Sequence, residues 1–123
     1  RLADCRAELD VVCDQIGSPT YTVDLASLLC DMAETDKYGV YHATNEGVCS
    51  RAELAREIFR QAGKQVHINT VPTSQYPDRA RRPLNSRMSK EKLKQMGFSR
   101  LPPWQDALAR YLKEINGYSG CRA

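Results

Sequence analysis

The sequence has few aromatic residues and no apolar run long enough to cross a membrane. Of its 123 residues 7% are aromatic, with one Trp and two Phe, and no apolar stretch approaches the roughly 20 residues of a spanning helix. No segment has the layout of a secretory signal peptide. With 41% hydrophobic and 27% charged residues, the composition is that of one globular domain. We therefore expect a cytoplasmic protein without membrane contact.

The cysteines and histidines lack the spacing of a metal site or a disulfide framework. The five cysteines are odd in number and widely spaced, and no C-x-x-C pair occurs. Zinc binding and disulfides are therefore not expected. Cys13 and Cys30 lie in apolar runs and are predicted to be small core residues of a protein from a reducing compartment. His42 and His67 stand far apart in sequence, and His42 is predicted to be a structural histidine on a strand.

The stretch from Leu9 to Met32 predicts a strand, a polar loop and a helix. An apolar run at 9–13 has the length of a buried strand. Helical spacing resumes near Thr22, with apolar side chains at Val23, Ala26, Leu29, Cys30 and Ala33. In the loop, Gly17 is expected to supply a positive φ, and Thr22 an N-cap with Asp24 in the first turn. Ligands gather where such loops leave the carboxyl ends of parallel strands; an ordinary connection with capping residues is the alternative.

The rest of the chain completes an α/β pattern of about three short strands and four helices. Further strands are predicted at 39–44 and 66–71. Further helices are predicted from the Ser50-Arg51-Ala52-Glu53 capping box to Gly63, from Ser89 to Met96, and from Pro103 to Gly117. Residues 1–8 read as the end of a helix and residues 118–123 as a frayed tail. The last helix carries an apolar stripe predicted to be core: Trp104, Ala107, Leu108, Tyr111, Leu112 and Ile115.

Positive charge is concentrated in one long segment without apolar periodicity, 73–89, and in the helix after it. Residues 78–94 contain seven cations and two anions, a local charge of +5 in a chain of net charge +3. A solvated basic face and a site for a small phosphorylated ligand are two interpretations. A nucleic-acid patch is a weaker third, because aromatic residues are few and no known binding module is visible, so no nucleic-acid partner is expected. Arginine binds phosphate in a two-pronged fashion, and Pro83 would hold the loop in a fixed path.

Four motifs occur together in order: DQIGSPTYTVDLA at 14–26, GVYHATNEGVCSRAELAREIF at 39–59, RPLNSRMSKEKL at 82–93 and LPPWQDALARYL at 101–112. Together they cover nearly the whole chain. In this arrangement the sequence closely resembles the carboxyl-terminal portion of the dTDP-4-dehydrorhamnose reductases, a family of extended short-chain dehydrogenase/reductases. The resemblance, like the start at Arg1 within a helix-like segment, implies a piece of a longer protein: residues 1–123 would be its substrate-binding region.

The resemblance implies NADPH-dependent reduction of a 4-keto sugar nucleotide in the biosynthesis of dTDP-L-rhamnose and cell-surface polysaccharide. In the family, an amino-terminal Rossmann half carries the glycine-rich loop that binds NADPH and a catalytic Tyr-x-x-x-Lys pair. Neither motif is in this sequence, so no catalytic residue is predicted and the 123 residues alone are expected to be inactive. Mg²⁺ and a homodimer occur in some relatives and are possible partners of the full-length protein.

The resemblance also implies roles for individual residues in binding the dTDP-sugar. Arg81 or Arg82 would bind the diphosphate, and Asn85 would hydrogen-bond the ribose or a phosphate oxygen. Three residues of the opening loop would face the sugar-nucleotide or nicotinamide side of the cleft: Gln15, Ser18 and Thr20. Two alternatives remain: a non-catalytic regulatory subunit of the same fold, resembling the beta subunit of methionine adenosyltransferase, and a small basic nucleic-acid-binding domain.

Overall fold

The computed structural model describes residues 6–76 and 80–119, of which 117–119 are described by their backbone alone. Within these residues the chain forms a mixed α/β structure with four α-helices and six short strands. This confirms the predicted class and the number of helices. In chain order the elements are β1 (Glu8–Val12), β2 (Ile16–Gly17), α1 (Thr22–Ala33), β3 (Asn45–Glu46), β4 (Cys49–Ser50), α2 (Arg51–Gln61), β5 (His67–Val71), α3 (Glu91–Gln95), β6 (Leu101–Pro103) and α4 (Trp104–Ser119).

The described residues form two compact units. The first unit contains the residues up to Gly17 together with Cys49–Ser86, and the second contains Ser18–Val48 together with the residues from Arg87 onward. The first unit therefore holds β1, β2, β4, α2 and β5. The second holds α1, β3, α3, β6 and α4.

The first unit is built on a parallel pair of strands. β1 pairs with β5 in a register that places Leu9 opposite Ile68 and Val12 opposite Val71, which confirms two of the predicted strands. α2 packs against both strands. The buried apolar side chains of this unit are Val12, Cys49, Ala52 and Ile68.

α2 begins and ends where the sequence predicts. The Ser50 side chain accepts a hydrogen bond from the Glu53 amide, and the Glu53 carboxylate accepts one from the Ser50 amide, so both halves of the capping box are present. At the other end Gly63 adopts a φ of +65°, the left-handed conformation that favours glycine after a helix. The two ends of this helix are therefore set by local sequence.

The second unit has a core between its helices and β6. Leu28, Leu93 and Leu101 are buried together, and Met32, Tyr41, Ala43 and Phe98 pack against them. Trp104 and Ala107 of α4 are also buried, which confirms Trp104 as a core residue. The far end of the predicted stripe is wrong, because Tyr111 and Ile115 are 46% and 38% exposed.

The buried face of α1 differs from the predicted one. Val23 and Leu29 are 53% and 55% exposed, whereas Asp24 and Leu28 are buried. Asp24 lies inside because the Arg110 guanidinium donates to both its carboxylate oxygens at 2.6 and 2.8 Å. Cys30 shares the exposed face, so its prediction as a core residue is wrong.

The strand predicted at 39–44 does not form. Gly39 has a φ of +145°, and Tyr38 and Val40 are 84% and 79% exposed. His42 is exposed in this irregular segment and does not lie on a strand as predicted. The ladder begins at Asn45, where β3 pairs in parallel with β6. The apolar residues of this segment do not suffice to form a strand, because no described strand pairs with it.

Several helix ends are displaced from their predictions. Thr22 is the first residue of α1 and Tyr21 is its N-cap, without a side-chain cap. α3 has Lys90 as its N-cap, although the Ser89 hydroxyl accepts a weak 3.5 Å hydrogen bond from the Glu91 amide. Pro103 ends β6. Each shift is of one residue, which is within the ordinary spread of helix ends.

The predictions for the two ends of the chain are wrong where the structure describes them. Glu8 begins β1 instead of ending a helix, and residues 1–5 lie outside the described part of the chain. α4 continues past Gly117 to Ser119, because one glycine inside a helix costs only about 1 kcal/mol. Residues 120–123, in the predicted tail, are likewise outside the described residues.

Candidate anion-binding site in the first unit

A polar cluster lies directly after the parallel strands of the first unit. Asp14 and Gln15 follow β1, and Thr73 follows β5. The carboxyl ends of parallel strands are adjacent in a sheet, and ligands of open α/β proteins bind at that edge. This cluster is therefore the place in the first unit to look for a binding function.

Asp14 and Thr73 form the base of the cluster. The Asp14 carboxylate accepts hydrogen bonds from the Thr73 hydroxyl at 2.6 Å and from the Thr73 amide at 3.0 Å. These hydrogen bonds, the hydroxyl's first, hold the pKa of Asp14 below its ordinary value. Asp14 is therefore ionised at neutral pH and acts only as an acceptor.

Gln15 is buried, at 8% exposure, and links this base to α2. Its Nε2 donates to the Thr73 hydroxyl oxygen at 3.2 Å. Its Oε1 accepts from Nε of Arg51, the first residue of α2, at 3.1 Å. Gln15 thus joins the end of β1, the end of β5 and the start of α2.

The opening loop and the Arg-Pro segment (Arg81–Ser86) meet through backbone hydrogen bonds. The Ile16 amide donates to the Leu84 carbonyl at 2.8 Å, and the Ser86 amide donates to the Ile16 carbonyl at 2.9 Å. Ile16 and Asn85 form a parallel bridge. On its other side Ile16 pairs with Ser50, so β2 lies between the Arg-Pro segment and the start of α2.

The structure brings part of the predicted site together. Gln15 is next to Ile16, whose bridge partner is Asn85. Arg81, Arg82 and Asn85 are exposed on the segment that this bridge anchors. Arg79, which contributed to the predicted basic segment, lies outside the described residues. The binding roles of these side chains remain predictions.

Ser18 and Thr20, also predicted to bind the ligand, belong to the second unit. The Ser18 hydroxyl donates to the Gly47 carbonyl at 2.7 Å, and the Thr20 side chain is exposed. The contact of Ser18 stabilises the turn around Gly47, whose φ is +86°. A role of either residue toward a ligand remains a prediction.

Three residues of the cluster were not predicted from the sequence as site residues. Asp14 and Thr73 could have been found, because each directly follows a strand that the pattern identified. Arg51 gave no such signal, because its place in a capping box suggests a helix start and nothing more. Its contact with Gln15 joins residues 36 positions apart, and only the fold reveals it.

The described residues do not assemble a metal site or a dinucleotide-phosphate site. No group of three or more His, Cys, Asp or Glu side chains among them converges on one point. Each α-helix starts with a carboxylate in its first turn: Asp24, Glu53, Glu91 and Asp106. A carboxylate in that position takes the place that the phosphates of a dinucleotide would occupy at a helix N-terminus. The residues present therefore do not fit Mg²⁺ or the phosphates of NADPH.

The second unit contains a cavity of about 210 Å³ lined in part by Asp24, Asp31 and Arg100. It is smaller than the roughly 300–1,000 Å³ of ordinary ligand pockets. Its carboxylates oppose an anionic ligand, and Asp24 is already bound by Arg110.

Cys49, in the first unit, is not a candidate nucleophile, because burial raises the pKa of its thiol to about 11. Among the described residues, no helix combines the length and hydrophobicity needed to cross a bilayer.

Comparison with known proteins identifies the family. Residues 1–116 match the model of the RmlD substrate binding domain. The chain belongs to this family. It is 40% identical over 114 residues to the spore coat polysaccharide biosynthesis protein SpsK of Bacillus subtilis, covering 93% of the chain and 40% of that protein. It is 40% identical over 131 residues to dTDP-4-dehydrorhamnose reductase of Aggregatibacter actinomycetemcomitans, covering 97% of the chain and 43% of that protein.

Solved structures of dTDP-4-dehydrorhamnose reductases show the same fold. The dTDP-4-dehydrorhamnose reductase of Bacillus anthracis, solved in complex with NADP, matches 93% of the chain and 40% of its own length with a TM-score of 0.87 and 39% identity. The Clostridium acetobutylicum reductase matches 94% of the chain and 41% of its own length with a TM-score of 0.90 and 34% identity. The resemblance drawn from the four motifs is confirmed. The chain spans about two fifths of the length of these relatives.

Proposed function

We propose that this RmlD-family chain binds the dTDP-sugar substrate of a dTDP-4-dehydrorhamnose reductase. In that reaction NADPH supplies a hydride to the 4-keto group of dTDP-4-dehydro-L-rhamnose. The contribution of these 123 residues is to hold the nucleotide diphosphate and orient the sugar. The observation that carries the proposal is the backbone pairing of the Arg-Pro segment with Ile16. It supports one site made of the segment and the polar edge of the β1–β5 pair.

Within this site Arg81 or Arg82 binds the diphosphate, and Asn85 hydrogen-bonds the ribose or a phosphate oxygen. Guanidinium groups suit a diphosphate because their planar forks match its oxygens in pairs. One charge-assisted contact contributes roughly 1.5–3 kcal/mol, so two give much of a micromolar affinity. Gln15 is proposed to contribute from the end of β1, whereas roles of Ser18 and Thr20 toward the ligand stay predictions from the resemblance.

The catalytic half of such a reductase is proposed to lie outside these residues. Two observations favour a longer protein of about the length of the relatives. A two-stranded parallel pair such as β1–β5 is seldom stable unless further strands or helices cover it. The apolar face of α1, with Val23 and Leu29 more than half exposed, needs a partner for the same reason. Cytoplasmic location, NADPH use and a homodimer belong to the proposal for that longer protein.

Removing the charge of Arg81 and Arg82 tests the proposed site. In the complete reductase, Arg81→Gln and Arg82→Gln are expected to raise KM for the dTDP-sugar roughly 10-fold or more if each loses one phosphate contact. KM for NADPH should change less than 2-fold. Steady-state kinetics with each substrate varied separately measures both values.

Lys64→Gln, on the connection between α2 and β5, is a matched charge-removal control and should change neither KM. An equal rise in both KM values for the Arg-Pro variants would show a general structural effect. That result would contradict the assignment of these arginines to the sugar nucleotide.

A further inference from the structure

Arg51 is held in a fixed position by a chain of hydrogen bonds that begins at an ionised carboxylate. The Thr73 hydroxyl has one proton, and it donates that proton to Asp14. Its oxygen can then only accept, so Gln15 must present its amide NH₂ to Thr73 and its carbonyl oxygen to Arg51. The charge of Asp14 thus decides which end of the buried Gln15 amide faces α2.

The contact with Gln15 occupies only one edge of the Arg51 guanidinium. Nε donates to Gln15 at 3.1 Å, and the side chain is exposed at the start of α2. Among the residues that the structure describes, no acceptor takes the Nη1 and Nη2 protons, and no carboxylate forms an ion pair with this arginine. The end of the guanidinium that carries four N–H donors is therefore available to an oxyanion.

Arg51 lies one strand away from the Arg-Pro segment within the same unit. Ser50 pairs with Ile16 on one side of β2, and Asn85 bridges Ile16 on the other. Neighbouring strands are about 4.8 Å apart, so Ser50 and Asn85 are separated by roughly 10 Å. Arg51 follows Ser50 on one flank of β2 and Arg82 lies three residues before Asn85 on the other, so one short strand has arginines on both flanks.

We propose that Arg51 is a further pyrophosphate-binding residue of this site and that Gln15 is a positioning residue that acts through Arg51. This inference rests on the proposed function, since it takes the dTDP group as the ligand. It assigns to Gln15 an indirect part in binding, and to Asp14 and Thr73 the part of fixing the orientation of the Gln15 amide. The proposal does not involve the N-terminal amides of α2. Those of Ser50 and Glu53 already donate hydrogen bonds within the capping box.

Calorimetric titration of dTDP and of thymidine into the complete reductase that contains this chain tests the role of Arg51. Arg51→Gln is expected to weaken dTDP binding roughly 10- to 100-fold, the effect of one charge-assisted contact, and to leave thymidine binding within 2-fold. Arg51→Lys keeps the charge without the planar fork, so its affinity for dTDP should lie between those of the parent protein and of Arg51→Gln. Arg56→Gln, an exposed arginine further along α2, is the matched control and should bind dTDP as the parent chain does.

A double-mutant cycle tests the role of Gln15. Gln15→Met keeps the side-chain volume but removes the acceptor for Arg51, and we expect it to weaken dTDP binding roughly 3- to 10-fold. In the Arg51→Gln background the same change should have no further effect, because its only route to the ligand is gone. A further loss in that background would show that Gln15 contacts the ligand itself and would overturn the positioning role.

The outcomes separate this inference from the proposed function. If the complete reductase that contains this chain does not bind dTDP, the proposed function fails. If it binds dTDP and Arg82→Gln weakens binding while Arg51→Gln behaves like Arg56→Gln, only the role of Arg51 is overturned. Far-UV circular dichroism of each variant shows whether it is folded. Should Arg51→Gln be unfolded, Arg51→Lys decides in its place, and unchanged dTDP binding by a folded Arg51→Lys would overturn the need for the fork.

Discussion

At the scale of single residues, Gly17 is constrained by space and not by its dihedral angle. A Cβ on Gly17 would lie 2.7 Å from the Ser86 hydroxyl oxygen, closer than real contacts allow. Among the described glycines, the positive φ values belong to Gly39, Gly47, Gly63 and Gly97, so the positive φ predicted for Gly17 is wrong. The glycine allows the Arg-Pro segment to approach β2 closely enough for backbone hydrogen bonds.

Gly17→Ala should therefore destabilise the chain through Ser86. We expect a loss of about 1–2 kcal/mol in the free energy of unfolding, at the low end for overpacking because a serine side chain can rotate. The Ser86 hydroxyl donates to the Ile16 carbonyl at 3.2 Å, so Ser86→Ala alone should cost about 0.5 kcal/mol.

Urea unfolding of the two single variants and the double variant measures the coupling between them. In the double variant the clash is removed, and its loss should be smaller than the sum of the two single losses. Strict additivity would mean that the close approach of Gly17 to Ser86 is not the cause.

At the scale of elements, α1 depends on a buried charge and not on an apolar stripe. Arg110 of α4 donates to Asp24 at 2.6 and 2.8 Å. Asn45, which is fully buried, donates to Asp24 at 2.7 Å and to the Pro102 carbonyl at 2.9 Å. The Arg110 hydrogen bond is the main cause that holds the pKa of Asp24 below its ordinary value. One carboxylate thus joins α1, β3, β6 and α4.

Arg110→Met should destabilise the second unit because it leaves Asp24 buried without its cation. Breaking a buried pair costs about 3–5 kcal/mol. Arg110 is 38% exposed, which reduces the expected loss to about 2–3 kcal/mol. Chemical denaturation at neutral pH measures the loss, and Asp24→Asn with Arg110→Met should recover part of it, since neither charge is then left alone.

The destabilisation caused by Arg110→Met should decrease as the pH falls. Because the pKa of Asp24 is lowered on folding, the pair stabilises fully above the unfolded pKa of about 3.9. That contribution disappears as the pH falls through the lower folded pKa. The difference in stability between the parent chain and Arg110→Met should therefore shrink below about pH 4. A difference that stays constant down to pH 2 would contradict this explanation.

The sequence predicts those elements whose determinants are local. The start and end of α2 follow from Ser50, Glu53 and Gly63, which lie within the helix or next to it. The buried face of α1 could not be predicted, because Asp24 is drawn inside by an arginine 86 positions away. The same limit applies to the site. The Arg-Pro segment is visible as a cluster of charge, whereas the link from Gln15 to Arg51 exists only after β2 and β4 have paired.

At the scale of the whole molecule, the described structure has many apolar side chains at its surface. Ten large hydrophobic residues are exposed, while nine hydrophobic residues are buried. This balance is poor for a domain that folds by itself, because burial of apolar area is the main favourable contribution to folding. It is consistent with a chain that spans about two fifths of its relatives and that we propose to function within a longer reductase.

The most direct test of the proposed binding site is a titration of dTDP into the chain followed by backbone amide chemical shifts. We expect saturable shifts at Ile16, Thr73 and residues 84–86, with the same dissociation constant at each. These amides lie at the carboxyl ends of β1 and β5 and in the Arg-Pro segment. Shifts confined to other residues, or no saturable shifts for a folded chain, would contradict the claim that this edge of the first unit binds the nucleotide diphosphate.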